Sequence, residues 1–230
     1  FGMEGIVQGF GQSEAMPILS KMETPASQLK PNALGKLFDD MEVKLLRDDG
    51  QEAGPGEVGE FTIRPLLPHV IFSGYFDDPE ATRRAFHGDW YGSGDLGVKD
   101  AEGDFYFVDR KKDYIRYKGR NISSLQVESV AASHPAVAAA AVYGVPSETL
   151  ESEHEIKLDA ILRPGHSLSC EELARHINEH APYFCVPRYI EFVSELPYTP
   201  TQKLEKYKLR AKGISAATWD RLTSDFELQR

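Results

Sequence analysis

Cysteine is scarce in this chain: only Cys170 and Cys185 occur among 230 residues, one in a helix-like and one in a loop-like segment. Two thiols without metal-ligand spacing rule out a multi-bridge disulfide framework, argue against zinc, and fit reduced side chains. Long hydrophobic runs are missing as well. No stretch approaches the roughly 18 apolar residues that a membrane-crossing helix needs, and no basic segment followed by an apolar one opens the chain. Positive charge is in short supply, with 26 Lys and Arg against 36 Asp and Glu and a formal net charge of -10. That balance excludes a broad nucleic-acid footprint while leaving room for a local basic pocket around a phosphorylated ligand. There is no initiator methionine before Phe1-Gly2-Met3-Glu4, which suggests a piece of something longer. What remains is a globular composition, 41% hydrophobic and 27% charged, long enough for one large or two ordinary domains. A soluble, cytoplasmic protein is expected.

The patterning changes character at Asp109-Arg110-Lys111-Lys112-Asp113, an unbroken charge run behind the apolar Phe105-Tyr106-Phe107-Val108. Such a run is ordinarily a solvated turn. Before it, strands and turns dominate. Residues 5–10, GIVQGF, read as a buried strand running into Gly11-Gln12-Ser13-Glu14, and Pro17 to Lys36 lack a period and read as loop. Met41 to Leu46 and Gly59 to Arg64 alternate as two antiparallel strands, Val70 to Tyr75 offers another, and Ala101 to Asp104 forms a hairpin turn. Asp78-Pro79 starts a short helix through Phe86. After the charge run, Ser123 or Ser124 caps a helix from Leu125 to about Ser133. Strands at Val137–Tyr143, Glu155–Leu162 and Arg188–Val193 follow, with an amphipathic helix from Ser169 to His180 and a basic helical stretch ending at Lys212. The expected fold is therefore α/β (α+β), with a β-rich subdomain at 1–110 and a small α/β domain at 111–230.

Two segments carry candidate chemistry on their residues alone. In Trp90-Tyr91-Gly92-Ser93-Gly94-Asp95-Leu96-Gly97 a carboxylate sits in a glycine-rich turn, and an ionised carboxylate can accept from both hydroxyls of a sugar diol. A plain Gly/Asp turn is the alternative. In Leu196-Pro197-Tyr198-Thr199-Pro200-Thr201-Gln202-Lys203-Leu204 a proline-bound loop presents one lysine, which taken alone reads as solvated.

Together and in this order the segments resemble the AMP-forming acyl-CoA synthetase family of adenylating enzymes. GFGQSE at 9–14 is similar to the family's aromatic-Gly-x-Thr-Glu motif and WYGSGDLG at 90–97 to its Trp-x-x-Thr-Gly-Asp motif, each with serine for threonine. DRKKDYIRYKGRNISSLQVE at 109–128 is similar to the hinge motif, and PYTPTQKLEK at 197–206 to the motif bearing the catalytic lysine. Within the family, the hinge segment and the tail look most like ligases for carnitine-type or fatty acids. The resemblance covers essentially the whole chain.

It implies the C-terminal part of a large adenylating domain followed by a mobile lid, a carboxylic acid substrate, and ATP, Mg2+ and coenzyme A. Phe10 would stack on adenine with Gly11 beside it, Ser13 would contact phosphate, and Glu14 would help hold the magnesium. Asp95 would take the ribose hydroxyls, and Arg110 would reach ribose or phosphate. Lys112 would be the hinge, Gly119 would clear the pantetheine channel, and Lys203 would act in adenylation. Two departures stand out: Gln202 and Lys118 replace glycines. The family's Ser/Thr/Gly-rich phosphate loop does not occur in the chain and, with most of the acyl pocket, is expected in an upstream N-terminal part. Two other readings remain: an enzyme that loads a carrier protein, and a non-catalytic nucleotide-binding or assembly module.

Overall fold

Alternation of large apolar and polar side chains makes Met41–Leu46 and Gly59–Pro65 an antiparallel ladder, and the first half of the chain is built on it. The computed structural model describes residues 9–21, 28, 30–147 and 153–229. Two compact units result, dividing after Lys111. In the first, β1 (Gly9–Gln12), β2 (Ala15–Ser20) and β3 (Lys36–Leu37) form an antiparallel sheet. A second sheet holds β4 (Met41–Leu46), β5 (Gly59–Pro65), β6 (Phe86–His87), β7 (Trp90–Lys99) and β8 (Phe105–Arg110). Central β7 pairs antiparallel with β5, β6 and β8. The short helix α1 (Pro79–Ala85) has Pro79 in its first turn, and the Asp78 side chain accepts from the Ala81 N–H. Leu45, Phe61, Ile63 and Tyr91 pack with Ile18 and Leu19 into one core. Gly97 is required by that core: a Cβ there would stand 2.3 Å from a Phe61 ring carbon and 2.8 Å from the Tyr106 carbonyl oxygen.

Two expectations fail here. Residues 17–20 and Lys36 are strand rather than loop, because Ile18 and Leu19 are fully buried in the core and Leu19 and Ser20 pair with β1 on one side and β3 on the other. Val70 to Tyr75 is not strand: Val70, Ile71 and Phe72 pack on the core from an irregular segment, and the Phe72 N–H donates to the Glu14 carbonyl (2.8 Å). Of the strand expected over 5–10, residues 5–8 lie outside the described residues.

The second unit opens with the hairpin β9 (Ile115–Tyr117) and β10 (Arg120–Ile122), then α2 (Ser124–Ala132), whose N–H of Gln126 is capped by the Ser123 hydroxyl. β11 (Val137–Pro146) runs antiparallel to β12 (His154–Leu162). The crossover through α3 (Cys170–His180) returns the chain as β13 (Tyr189–Phe192), parallel to β12. Ser169 and Glu172 form a reciprocal capping box at the start of α3. Finally α4 (Lys206–Lys212) precedes β14 (Trp219–Asp220), which closes the sheet against β13. Neither cysteine is paired, and burial pushes both thiols up to about 11, so they are inert packing residues at neutral pH.

This sheet buries both faces. Val142, Ile156, Leu158 and Ile190 meet α2 and α3 through Val127, Leu173 and Ile177, whereas Tyr143, Val145 and Tyr189 meet Leu196 and Leu209 on the other side. The period of two puts charge on that second face. Lys157 and Asp159 are fully buried, with the lysine Nζ 3.2 Å from Asp159 and 2.9 Å from Glu191. The other Asp159 oxygen accepts from the Tyr143 hydroxyl, while on Glu191 Ser215 and Thr218 share Oε2 with Lys157 and Lys212 meets Oε1. Removing one partner of such a cluster costs more than the cluster contributes, because a buried charge is left uncompensated.

Burial opposes ionisation of Glu191, but hydrogen bonds from Thr218, Lys157, Lys212 and Ser215 outweigh it and hold the carboxyl at about 2, below its ordinary 4.5. A folded value below the unfolded one gives stability that is complete above the unfolded value and is lost as the pH falls toward the folded one. Glu191→Gln is expected to lower stability at pH 7 by about 3 kcal/mol and to flatten the loss between pH 4.5 and 2. Urea midpoints across that range check this, and an acid branch parallel to the parent's contradicts it.

Candidate functional site

The site residues of the first unit gather around one buried carboxylate. Asp95, in β7, is 3% exposed. Its cross-strand partner in the β7–β8 ladder is Arg110, and the register brings the Arg110 Nε to 3.2 Å from Asp95 Oδ1. The other oxygen, Oδ2, accepts from Gln12 Nε2 at 2.6 Å, and the same amide nitrogen donates to the Ser93 carbonyl at 2.8 Å. Local turn chemistry fixes the carboxylate's backbone: Gly94 has φ 70°, and the Asp95 N–H donates to Ser93 Oγ (3.1 Å). The Gly94 N–H donates to Glu60 Oε1 (3.0 Å), and Lys111 meets Oε2 of the same residue at 2.9 Å.

Gln12 and Ala15 pair across the two-residue turn Ser13-Glu14, so Ser13 stands exposed at a hairpin tip. Glu14 is half-buried beside it, with Oε1 accepting from the Tyr75 hydroxyl at 3.0 Å. The Tyr91 hydroxyl donates to Gln12 Oε1 (2.8 Å), and burial together with the charge of Glu14 raises its pKa far enough to keep it neutral. Gly11 is exposed and tight, since a Cβ would lie 3.1 Å from the Ala15 carbonyl oxygen. Phe10 is half-buried among core aromatics, its ring 4.9 Å from Phe61 and 6.3 Å from Phe107. The structure thus brings Gln12, Asp95 and Arg110 into direct contact, with Ser13 and Glu14 on the adjoining turn.

Glu14, on the turn beside this cluster, could hold a divalent cation through one carboxylate. Among the described residues no cluster of three His, Cys, Asp or Glu side chains could hold a metal. A single carboxylate suits Mg2+, which keeps several waters and relies on substrate phosphates for the rest of its shell.

The second unit holds the lysine motif and residues 112–128 of the motif that resembles the family's hinge. Lys112 lies in a single 3-10 turn, Lys111–Asp113, where its carbonyl accepts from Arg210 (3.1 Å) and Asp113 is paired with the same guanidinium. Lys118 and Gly119 connect β9 to β10 with φ of 48° and 73°, and their N–H groups each donate to Glu153 at 2.7 Å. A Cβ on Gly119 would meet nothing within 4 Å, so its conformation rather than its size is what the turn uses. Lys203 is exposed on a loop with a fixed backbone: its N–H donates to Thr199 Oγ1 (3.0 Å), its carbonyl accepts from the Thr199 N–H (2.8 Å), and Tyr198 bridges to Leu204. Leu196 and Leu204 on either side pack into the core, and Gln202 takes φ 62°. Both departures from glycine, Lys118 and Gln202, therefore keep the left-handed backbone that glycine would supply.

Several residues here escaped the reading from sequence. Gln12, Tyr75 and Tyr91 carry no charge, and their linkage is a product of tertiary contact. Lys206 is buried, donating to Ser124 Oγ and pairing with Glu128 at 2.7 Å each, so the lysine motif and the end of the hinge motif are locked together. Glu128 also accepts from the Val142 N–H (2.7 Å).

Residues 126–203 match the AMP-binding enzyme C-terminal domain. Human mitochondrial acyl-coenzyme A synthetase ACSM4 is 35% identical over 216 residues, covering 91% of this chain and 36% of that protein. The uncharacterized acyl-CoA ligase YtcI of Bacillus subtilis (strain 168) is 34% identical over 218 residues, covering 92% of the chain and 40% of that protein. Amide bond synthetase McbA from Marinactinospora thermotolerans superposes with a TM-score of 0.76 at 32% identity, covering 90% of this chain and 42% of that one. The o-succinylbenzoate CoA synthetase MenE of Bacillus subtilis, solved with its acyl-adenylate intermediate, gives 0.76 at 29%, covering 89% and 40%. The chain spans little more than a third of the length of the ACSM relatives it matches. No helix among the described residues is long and apolar enough to cross a membrane. The α+β architecture, the four motifs in order and these similarities together show that the chain belongs to the AMP-forming acyl-CoA synthetase family, aligning with the C-terminal portion of its relatives.

Proposed function

We propose that the protein is an ATP-dependent, AMP-forming acyl-CoA ligase of the cytoplasm, acting together with an upstream N-terminal part. The observation that carries this reading is Asp95, a buried carboxylate held between Gln12 and Arg110 next to the turn that bears Ser13 and Glu14. Residues 1–110 would complete the nucleotide site and residues 111–230 would be the mobile lid. MenE is recorded with ATP and magnesium ion, and with an acyl-adenylate, which supports the same chemistry here.

A carboxylate oxygen of the substrate attacks the α-phosphorus of ATP, the bond to the leaving oxygen breaks, and acyl-adenylate and pyrophosphate form. The sulfur of coenzyme A then attacks the acyl carbon, the bond from that carbon to the AMP oxygen breaks and the thiol proton is released, giving the thioester and AMP. The first step brings anions together, so its barrier falls only if cations meet the charge that develops. Mg2+, when bound, neutralises phosphate charge, and Glu14 would hold it. Lys203 supplies a compact positive charge on a flexible stem. Asp95 takes the ribose hydroxyls, Arg110 reaches ribose or phosphate, Phe10 and Gly11 line the adenine side, and Ser13 meets phosphate. The second step needs the lysine withdrawn and the thiol admitted past Gly119. Lys112, at the division between the units, is the pivot for that exchange.

Lys203→Ala in the intact protein is expected to slow pyrophosphate release about a hundredfold or more, while thioester formation from supplied acyl-adenylate changes much less. Equal loss in both half-reactions contradicts the assignment. Lys112→Pro fixes φ at the pivot, so adenylation should persist while thioester formation falls, with the urea midpoint close to the parent's. Undiminished thioester formation would remove Lys112 from this role.

A further inference from the structure

The hydrogen bonds around Asp95 assign a task to a residue that the adenylation chemistry does not itself call on. The Gln12 side chain bridges the buried carboxylate and the buried tyrosine Tyr91, which is 2% exposed. An amide has one accepting and one donating end, and which end is which follows from the partners. Asp95 Oδ2 and the Ser93 carbonyl can only accept, so the nitrogen faces them, at 2.6 and 2.8 Å. The amide oxygen is then left to the Tyr91 hydroxyl, a neutral group that donates to it at 2.8 Å. All three contacts agree on one orientation, and turning the amide over would set oxygen against oxygen at two of them.

We propose that Gln12 is a positioning residue that holds Asp95 for recognition of the nucleotide's ribose hydroxyls, with Tyr91 fixing the amide. This rests on the reading of Asp95 as the ribose ligand. Gln12 suits the task better than a second cation would. With Arg110 on Oδ1 at 3.2 Å, another positive charge would draw down the basicity that a diol must share, whereas a neutral amide restrains the carboxylate and leaves its charge in place. The backbone of the same residue closes the turn carrying Ser13 and Glu14 through its pairing with Ala15. One residue thus ties the ribose end of the site to the phosphate end, and its side-chain role can be separated from its backbone role by substitution.

The test measures KM and kcat for ATP and for 2′-deoxy-ATP in acid-dependent pyrophosphate release by the intact protein. The parent should favour ATP. Gln12→Leu should raise KM for ATP about tenfold, the equivalent of one charge-assisted hydrogen bond, with kcat nearly unchanged and KM for 2′-deoxy-ATP affected less, so that the preference for ATP shrinks. Tyr91→Phe should act in the same direction and more weakly. Gln12→Glu places two carboxylates in contact, which share a proton when the pH is low enough. It should resemble Gln12→Leu at pH 8 and return toward the parent at pH 6, where the introduced carboxyl, once protonated, donates as the amide did. Equal rises in KM for both nucleotides, or a Gln12→Glu variant indifferent to pH, overturn the role of Gln12 and leave the enzyme assignment standing. Should Gln12→Leu fail to fold, Tyr91→Phe and the pH response of Gln12→Glu decide. A parent that releases no pyrophosphate, or does not distinguish the two nucleotides, overturns the ribose reading and the inference with it.

Discussion

A carboxylate that has given up almost all of its water must be met by donors, and in the first unit that requirement falls on Asp95. Its solvation is replaced by three features of the fold: the β7–β8 register that sets Arg110 opposite, the glycine turn that orients its backbone, and the amide of Gln12 arriving from the β1–β2 hairpin. Each comes from a different stretch of sequence. None can shift alone without exposing a buried charge to an apolar surround. The placement of the Ser13-Glu14 turn follows from the same constraint, because Gln12 cannot reach Asp95 unless the hairpin ends where it does.

The second unit solves a related problem by other means. Its sheet is buried on both faces, and the period of two along β12 obliges Lys157 and Asp159 to face the side covered by α4 and the loop from Leu196 to Leu204. Lys157 donates to Glu191 and to the Gly213 carbonyl, and Glu191 accepts from Lys212, Ser215 and Thr218, so the segment after α4 is tied to the sheet. The pairing of Lys206 with Glu128 ties the start of α4 to α2. Ahead of these anchors, the Lys203 loop is fixed by its own backbone pairs, Thr199 with Lys203 and Tyr198 with Leu204. For the role proposed for Lys203, a flexible side chain on a rigid stalk would place a mobile charge without ordering a long loop.

Much of this is legible in the sequence because it is local. Asp78-Pro79, the Ser169 and Glu172 capping box and the hairpin turn at Ala101 to Asp104 each announce themselves within a few residues. A missing period misleads at 17–20, where Ile18 and Leu19 enter the core and Leu19 and Ser20 pair on both sides. Apolar content misleads at Val70 to Tyr75, where side chains reach the core without the backbone joining a sheet. Lys118 and Gln202 look like losses of glycine, yet both backbones are left-handed. What stays hidden is tertiary: the Gln12 amide between Tyr91 and Asp95, the Glu153 carboxylate on two turn N–H groups, and buried Lys206. No spacing rule links residues 12, 91 and 95, since their meeting depends on two sheets packing over one core.

The activity proposed for this protein begins with formation of an acyl-adenylate. Carboxylic-acid-dependent exchange of labelled pyrophosphate into ATP, run on the intact protein across a panel of fatty and small acids with no coenzyme A present, isolates that step. The account predicts exchange that needs both an acid from the panel and Mg2+, and that proceeds without a thiol. Exchange absent with every acid, or present without any acid, would contradict it.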